Sequence, residues 1–180
     1  MIFEPFKPFL ASEYQVKLAT QAWERAGAAT LRRRVFCEEQ ALFHGDDRDA
    51  IDDVAIPIVA VSLLGVAFDE VVGTVRIHQA EPGVWWGSRL AVAAGHRRLA
   101  SLGAAMIRLA VASAHARGAR RFLAHVQAQN VLLFERLHWR TLAELELFGR
   151  PHHHMEADLS YYPPIIDAEW GFLSLLQKAA

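Results

Sequence analysis

Between Ile56 and Val92 the chain carries three apolar runs rich in β-branched residues: Ile56–Leu64, Val71–His78 and Val84–Val92. No stretch constrains the fold more. Runs of this length and composition read as strands, and strands so close in sequence pair antiparallel. The first two are expected to form a hairpin joined across Asp69-Glu70, and Pro82-Gly83 turns the chain into the third. The meander then runs into Ala100–Arg117, dense in alanine, leucine and methionine, with Gly118 at the expected C′ position of a long helix.

The rest of the chain arranges itself around that unit. Tyr14–Ala19 alternates as a first strand, and Gly27 to about Phe43 has helical spacing through Leu31, Val35 and Leu42. Arg121–Gln127 reads as a strand and Asn130–His138 as a short helix. Trp139–Phe148 and His153–Tyr161 read as closing strands around a turn at Gly149-Arg150-Pro151, and Ile165–Lys178 as a C-terminal helix. This order predicts an α+β fold with a mixed, mostly antiparallel sheet flanked by helices. No repeat or long linker divides the chain. Residues 1–180 therefore read as one domain, with a core from about 14 to 160 and the 165–178 helix beyond it.

Composition excludes several classes. Hydrophobic residues make up 53% and charged residues 22%, which is globular and not disordered. A formal charge of −1 gives no general attraction to nucleic acid or anionic membranes, so neither is an expected partner. The single cysteine, Cys37, precludes an internal disulfide or a multi-cysteine zinc module. The N-terminus lacks a charged-then-apolar leader pattern, and no apolar run approaches the ~20 residues of a membrane span, so a cytoplasmic location is expected.

The junction after the third strand, Ala93-Ala94-Gly95-His96-Arg97-Arg98-Leu99-Ala100-Ser101-Leu102-Gly103, has the makings of an anion site. Small residues let a ligand approach the backbone, and the free N–H groups of the helix start point outward. The helix dipole adds partial positive charge, and Arg97 or Arg98 adds a full one.

At this junction the sequence resembles the GNAT superfamily of N-acetyltransferases, whose acetyl-CoA signature is Arg/Gln-x-x-Gly-x-Gly/Ala. The match is Arg98-Leu99-Ala100-Ser101-Leu102-Gly103, with Ser101 in place of the first glycine. Five further segments resemble a small bacterial branch of the superfamily: Arg32–Gln40, Gly73-Thr74-Val75-Arg76, Ser88–Val92, Gln127–Trp139 and Gly149–Met155. The resemblance spans about Tyr14 to Leu159 and implies the GNAT (acyl-CoA N-acyltransferase) fold.

It also implies a function: direct transfer of an acetyl group from acetyl-CoA, as co-substrate, to a small-molecule amine. The resemblance places the donor against the backbone of Leu90, Ala91 and Val92. Its phosphates fall on Arg97, Arg98, Leu99, Ala100, Ser101, Leu102, Gly103 and Ala104, with Gln127, Asn130 and Phe134 completing the site. Direct transfer needs no nucleophilic side chain, so Cys37 reads as a half-buried helix residue. Phe134 stands where many relatives place a tyrosine acid, and a phenyl ring cannot donate a proton. His138 replaces the glycine of the usual Leu-Gly-Phe ending.

For the base, Glu39 and His78 are the candidates, the first from the helix motif and the second by the titration range of histidine. Arg76 and Arg89 lie on neighbouring strands, where they either bind an acceptor carboxylate or phosphate or form ion pairs with the acidic loop. His152 is expected to line the acceptor pocket. In a strand only His152 and His154 of the His152-His153-His154 run share a face, and no metal site is expected. The Asp46–Asp53 cluster reads as a solvated loop. Two alternatives stand beside the acetyltransferase reading. One is an enzyme like the acyl-homoserine-lactone synthases, which share Arg-x-x-Val-Phe but carry a glutamate where Trp86 stands. The other is a non-catalytic acyl-CoA-binding module, and a homodimer is open to each.

Overall fold

The computed structural model describes residues 11, 13–97 and 100–175. Among the described residues, eight strands form one sheet. They are β1 (Glu13–Leu18), β2 (Ile56–Leu64), β3 (Ala67–Glu81), β4 (Val84–Val92), β5 (Arg121–Gln127), β6 (Trp139–Leu147), β7 (Arg150–Ala157) and β8 (Phe172–Leu175). Their order across the sheet is β6-β7-β5-β4-β3-β2-β1-β8. Every neighbouring pair is antiparallel except β4 and β5, which run parallel. The sheet is thus the mixed, mostly antiparallel one expected.

Alternation along the strands divides the core between two faces. Val59 and Val61 on β2 point one way, packing with Ala28 of α1 (Ala22–Arg32) and with Val71. Ile58 and Ala60 point the other way, into a larger cluster with Leu102, Met106 and Leu109 of α2 (Ala100–Ala116). Helix α3 (Val131–Arg136) contributes Val131 and Phe134 to that second cluster. Among the described residues no helix is long and apolar enough to cross a membrane.

The element boundaries depart from expectation in four places. The β2–β3 turn is Gly65-Val66, with Asp69 and Glu70 inside β3; Gly65 supplies the positive φ of 66° that a two-residue loop requires. The first helix begins at Ala22, where Glu24 accepts a hydrogen bond from the Gln21 N–H. It then widens into a π-type segment over Arg33–Glu39. The last hairpin turns at Phe148-Gly149, so β7 starts at Arg150.

The C-terminal helix expected over 165–178 is absent from its described part. Residues 165–171 are irregular, and β8 pairs antiparallel with β1. An unpaired β1 edge offers backbone donors and acceptors that a helix cannot satisfy but a strand can. Gly171 permits this approach, since a Cβ there would lie 1.8 Å from the Val16 carbonyl oxygen. Residues 176–178 lie outside the described residues.

Candidate active site

Strands β4 and β5 pair only from Val84↔Arg121 to Gly87↔Ala124. Beyond that point β4 bulges on its other side. Thr74 pairs with Ala91 but Arg76 with Ser88, so β4 advances three residues while β3 advances two. Arg89, within the bulge, takes a left-handed φ of 56°. Leu90, Ala91 and Val92 therefore part from β5 and leave a wedge in the middle of the sheet. A cavity of about 790 Å³ fills the wedge. Its wall includes Phe36 and Trp86 on the α1 face and Ile107, Leu133 and Phe134 on the α2 face, so it passes through the sheet.

Leu90, Ala91, Val92, Arg97, Gly103, Gln127, Asn130 and Phe134 all contribute to the wall; Leu90, Val92 and Phe134 pack with the α2-face core, whereas Ala91 packs with Val35 and Phe36 and Gln127 meets Gln40 on the α1 face. Gly103 is buried, yet a Cβ placed on it would find its nearest neighbour, Leu133 Cδ2, only at 4.0 Å. Among the described residues, the space at Gly103 is thus open, at a helix start whose N–H groups lack intrahelical partners. That opening and the unpaired edge of β4 fit a phosphate-bearing thioester. Ser101 and Ala104 are not part of the wall, and Leu102 is buried in the core, so its side chain is structural. Arg98 and Leu99 lie outside the described residues, as does the side chain of Ala100.

Arg97 is held from two sides. Its Nε donates to the Val92 carbonyl at 2.9 Å, and its Nη2 forms an ion pair with Glu39. Glu39, a candidate base by sequence, is therefore paired beside the start of α2 and is not part of the cavity wall. The π-type segment is the cause, since its wider turn rotates Val35 and Phe36 inward. The next residue, Gln40, does reach the wall. Its amide oxygen accepts from Gln127 Nε2 at 3.1 Å and its carbonyl from Arg150 Nη2 at 2.8 Å.

The two arginines of the meander serve the acidic loop. Arg76, with its side chain 3% exposed, donates to Asp49 Oδ1 at 2.7 Å and Oδ2 at 2.8 Å, and to Ser88 Oγ at 2.9 Å. It also pairs with Asp52 at 2.7 Å. Arg89 Nη2 meets Asp49 at 3.2 Å, while its Nε lies 2.9 Å from Asp47 but off the N–H direction. Arg32 binds Asp47 and Asp52 from the first helix. Most of the Arg76 donors are thus engaged by Ser88, Asp49 and Asp52, and three aspartates of the loop expected to be solvated are paired with arginines. Hydrogen bonding from Arg76, against the opposing effect of burial, lowers the Asp49 pKa. Burial also opposes the Asp52 charge, but the hydrogen bonds from Arg32 and Arg76 outweigh it and hold that carboxyl well below the usual range.

The α1 face of the wedge carries histidines. His78 lies opposite Trp86 on the neighbouring strand, and both line the cavity with His125 and His152. His78 Nδ1 is buried without a partner. Burial, then the Arg76 charge, pushes its pKa below the ordinary histidine value, with Asp49 opposing. His125 is lowered by burial and then by His154 and His152. Trp86 stacks on His154 at 5.3 Å and meets His125 edge-on at 4.9 Å. His152 Nδ1 lies 2.9 Å from the Arg150 carbonyl, an acceptor that selects the Nδ1–H tautomer and leaves Nε2 with its lone pair.

The family profile described as the acetyltransferase (GNAT) family matches residues 31–139. The chain belongs to this family. Membership indicates acyltransferase activity with an acyl-CoA. A search of curated proteins finds no match. Among solved structures, the chain is similar to a Lactobacillus plantarum protein assigned as an N-acetyltransferase: TM-score 0.71, 22% identity, covering 80% of this chain and 97% of that one. It is also similar to Escherichia coli ElaA: TM-score 0.66, 19% identity, covering 81% and 98%. A third is BjaI, a CoA-dependent acyl-homoserine lactone synthase solved with SAM and isopentyl-CoA: TM-score 0.62, 16% identity, covering 77% and 78%. At such identities the likeness is one of GNAT fold.

Sequence reasoning missed His125 and Trp86 as cavity-lining residues. Their signal was present in strand alternation, because His125, Gln127, His152 and His154 fall on one face once β5 and β7 are paired. Phe43 and Phe148 were missed as well. They touch at 4.9 Å across the cavity rim, and their contact depends on where the last hairpin turns.

Proposed function

We propose that this GNAT protein transfers an acetyl group from acetyl-CoA to a small primary amine by direct attack. The reading is carried by one observation: a single cavity joins the open first turn of α2, at Gly103, to the histidine-lined α1 face. Donor and acceptor can then meet inside the sheet, each entering from its own side, and fixed proximity is the larger part of such catalysis. Acetyl-CoA supplies the activated carbonyl. The unpaired backbone of Leu90–Val92 aligns the pantetheine as an added strand would. His78, uncharged at neutral pH and open to the cavity, receives the proton that the amine loses. Phe134 packs edge-on against Trp139 at 5.0 Å and contributes shape to the donor side, not a proton.

The test is CoA release from acetyl-CoA against a panel of primary amines, with His78→Ala as a control. Amine-dependent release that falls at least about a hundredfold in the variant supports the reading. Release from acetyl-CoA that no amine accelerates, with binding intact, would leave an acyl-CoA-holding module instead.

A further inference from the structure

The proposed function leaves the acceptor as any small amine, and the inference here rests on that reading. Three features of the cavity narrow the class. The first is charge. Among the described residues Asp49 is the one carboxylate in the cavity wall, and Arg76 and Arg89 hold it. Glu39, the next carboxylate along the first helix, is paired with Arg97. An alkylammonium ion entering the cavity would find no carboxylate in the wall that is not already paired with arginine.

The second feature is the lining. Trp86 and His125 meet on the sheet side, and Phe43 and Phe148 meet at the rim. The Arg89 guanidinium already lies over the Phe43 ring at 4.3 Å, so that face is taken by a cation. His78 and His125 are both held toward their neutral forms by burial. Trp86, His125, Phe43 and Phe148 thus give the α1 side of the cavity several uncharged ring surfaces, beside charged groups that are paired with one another. The third feature is strain. Phe148 holds a φ of 54° at the hairpin tip, followed by Gly149 at 68°, a turn suited to asparagine and glycine. A bulky aromatic side chain is kept there against its backbone preference.

We infer that the acceptor is a planar aromatic amine, uncharged at neutral pH, seated between Trp86 and His125 on one side and Phe43 and Phe148 on the other. The amine nitrogen uses its lone pair to form the new N–C bond. The C–S bond breaks with its electron pair on sulfur, and the proton lost from nitrogen passes through a cavity histidine to the CoA thiolate. Nothing is oxidised or reduced. An aryl nitrogen needs no prior deprotonation, which suits a site whose bases are neutral histidines and not carboxylates.

Aniline and 5-aminoindole, compared with cyclohexylamine and benzylamine, test this by CoA release under saturating acetyl-CoA. The same amines are titrated calorimetrically onto the CoA-bound protein. The arylamines are expected to show kcat/KM values at least about tenfold higher, and to bind where the alkylamines do not. In Phe148→Asn the strained turn relaxes, so Tm holds or rises while the arylamine advantage falls toward parity; Trp86→Leu erodes it too. Acetyl-CoA binding with alkylamines turned over equally well would overturn this inference and leave the proposed function standing. So would an advantage unchanged in both variants, or no arylamine binding at millimolar concentration. Failure of acetyl-CoA itself to bind would overturn both.

Discussion

Arg76→Leu separates a structural arginine from a substrate-binding one. Leucine retains much of the buried aliphatic stem but removes the guanidinium that bridges Asp49 and Asp52. Breaking a fully buried pair costs about 3–5 kcal/mol. Here the figure must be reduced, because the Asp49 side chain is 36% exposed and keeps Arg89, and Asp52 keeps Arg32. About 2–3 kcal/mol remains, or roughly 5–10 °C in Tm for a domain of this size. The sign with pH follows from the lowered aspartate pKa values. Carboxylates with depressed folded-state pKa values contribute stability above the ordinary aspartate value of about 3.9, and that contribution is lost as pH falls through the folded values. Thermal unfolding of both proteins across pH 3–8 should therefore show the widest gap near neutrality and a closing gap in acid. An unchanged Tm with a raised acceptor KM would refute the ion-pair account and return Arg76 to the acceptor site.

Glu39→Gln should release Arg97 for the donor and tighten acetyl-CoA binding by about 2–5-fold, the scale of a partly exposed ion pair; calorimetry showing weaker binding would contradict it. Cys37 has its pKa raised by burial and then by Asp47, Asp46 and Glu38, which keeps the thiol protonated and a poor nucleophile. Cys37→Ser is accordingly expected to hold kcat within about twofold, whereas loss of turnover with a trapped acyl-enzyme would point to covalent transfer. With an arylamine acceptor, kcat/KM should rise with pH and level off below the ordinary histidine value of about 6.5, because burial and Arg76 lower His78 and Asp49 compensates only in part. A limb at or above that value would remove His78 as the base.

The sheet was legible where pattern and local chemistry agree. The β2 and β4 boundaries and all of β5 follow from apolar runs bounded by turn residues. The last segment was misread because Trp170, Phe172, Leu173 and Leu176 have helical spacing, while the deciding influence, the open edge of β1, is remote in sequence. The strand–loop–helix junction at Gly103 was readable, since β4 and α2 are set by local pattern. The opposite, histidine-lined side was not. Glu39 left the cavity through a π-type segment that no propensity announces, and Arg76 and Arg89 found aspartates whose loop geometry is set by tertiary pairing. The histidine face exists only once β4, β5 and β7 are in register.

The most direct test of the central claim is a calorimetric titration of acetyl-CoA into the wild-type protein and into Gly103→Glu. The added carboxylate would sit near the start of α2, where it favours the helix but fills and charges the space left open at Gly103. Saturable binding to the wild type, and none to a variant of unchanged Tm, is the predicted result. Equal affinity in the two proteins would contradict the placement of the donor in the wedge.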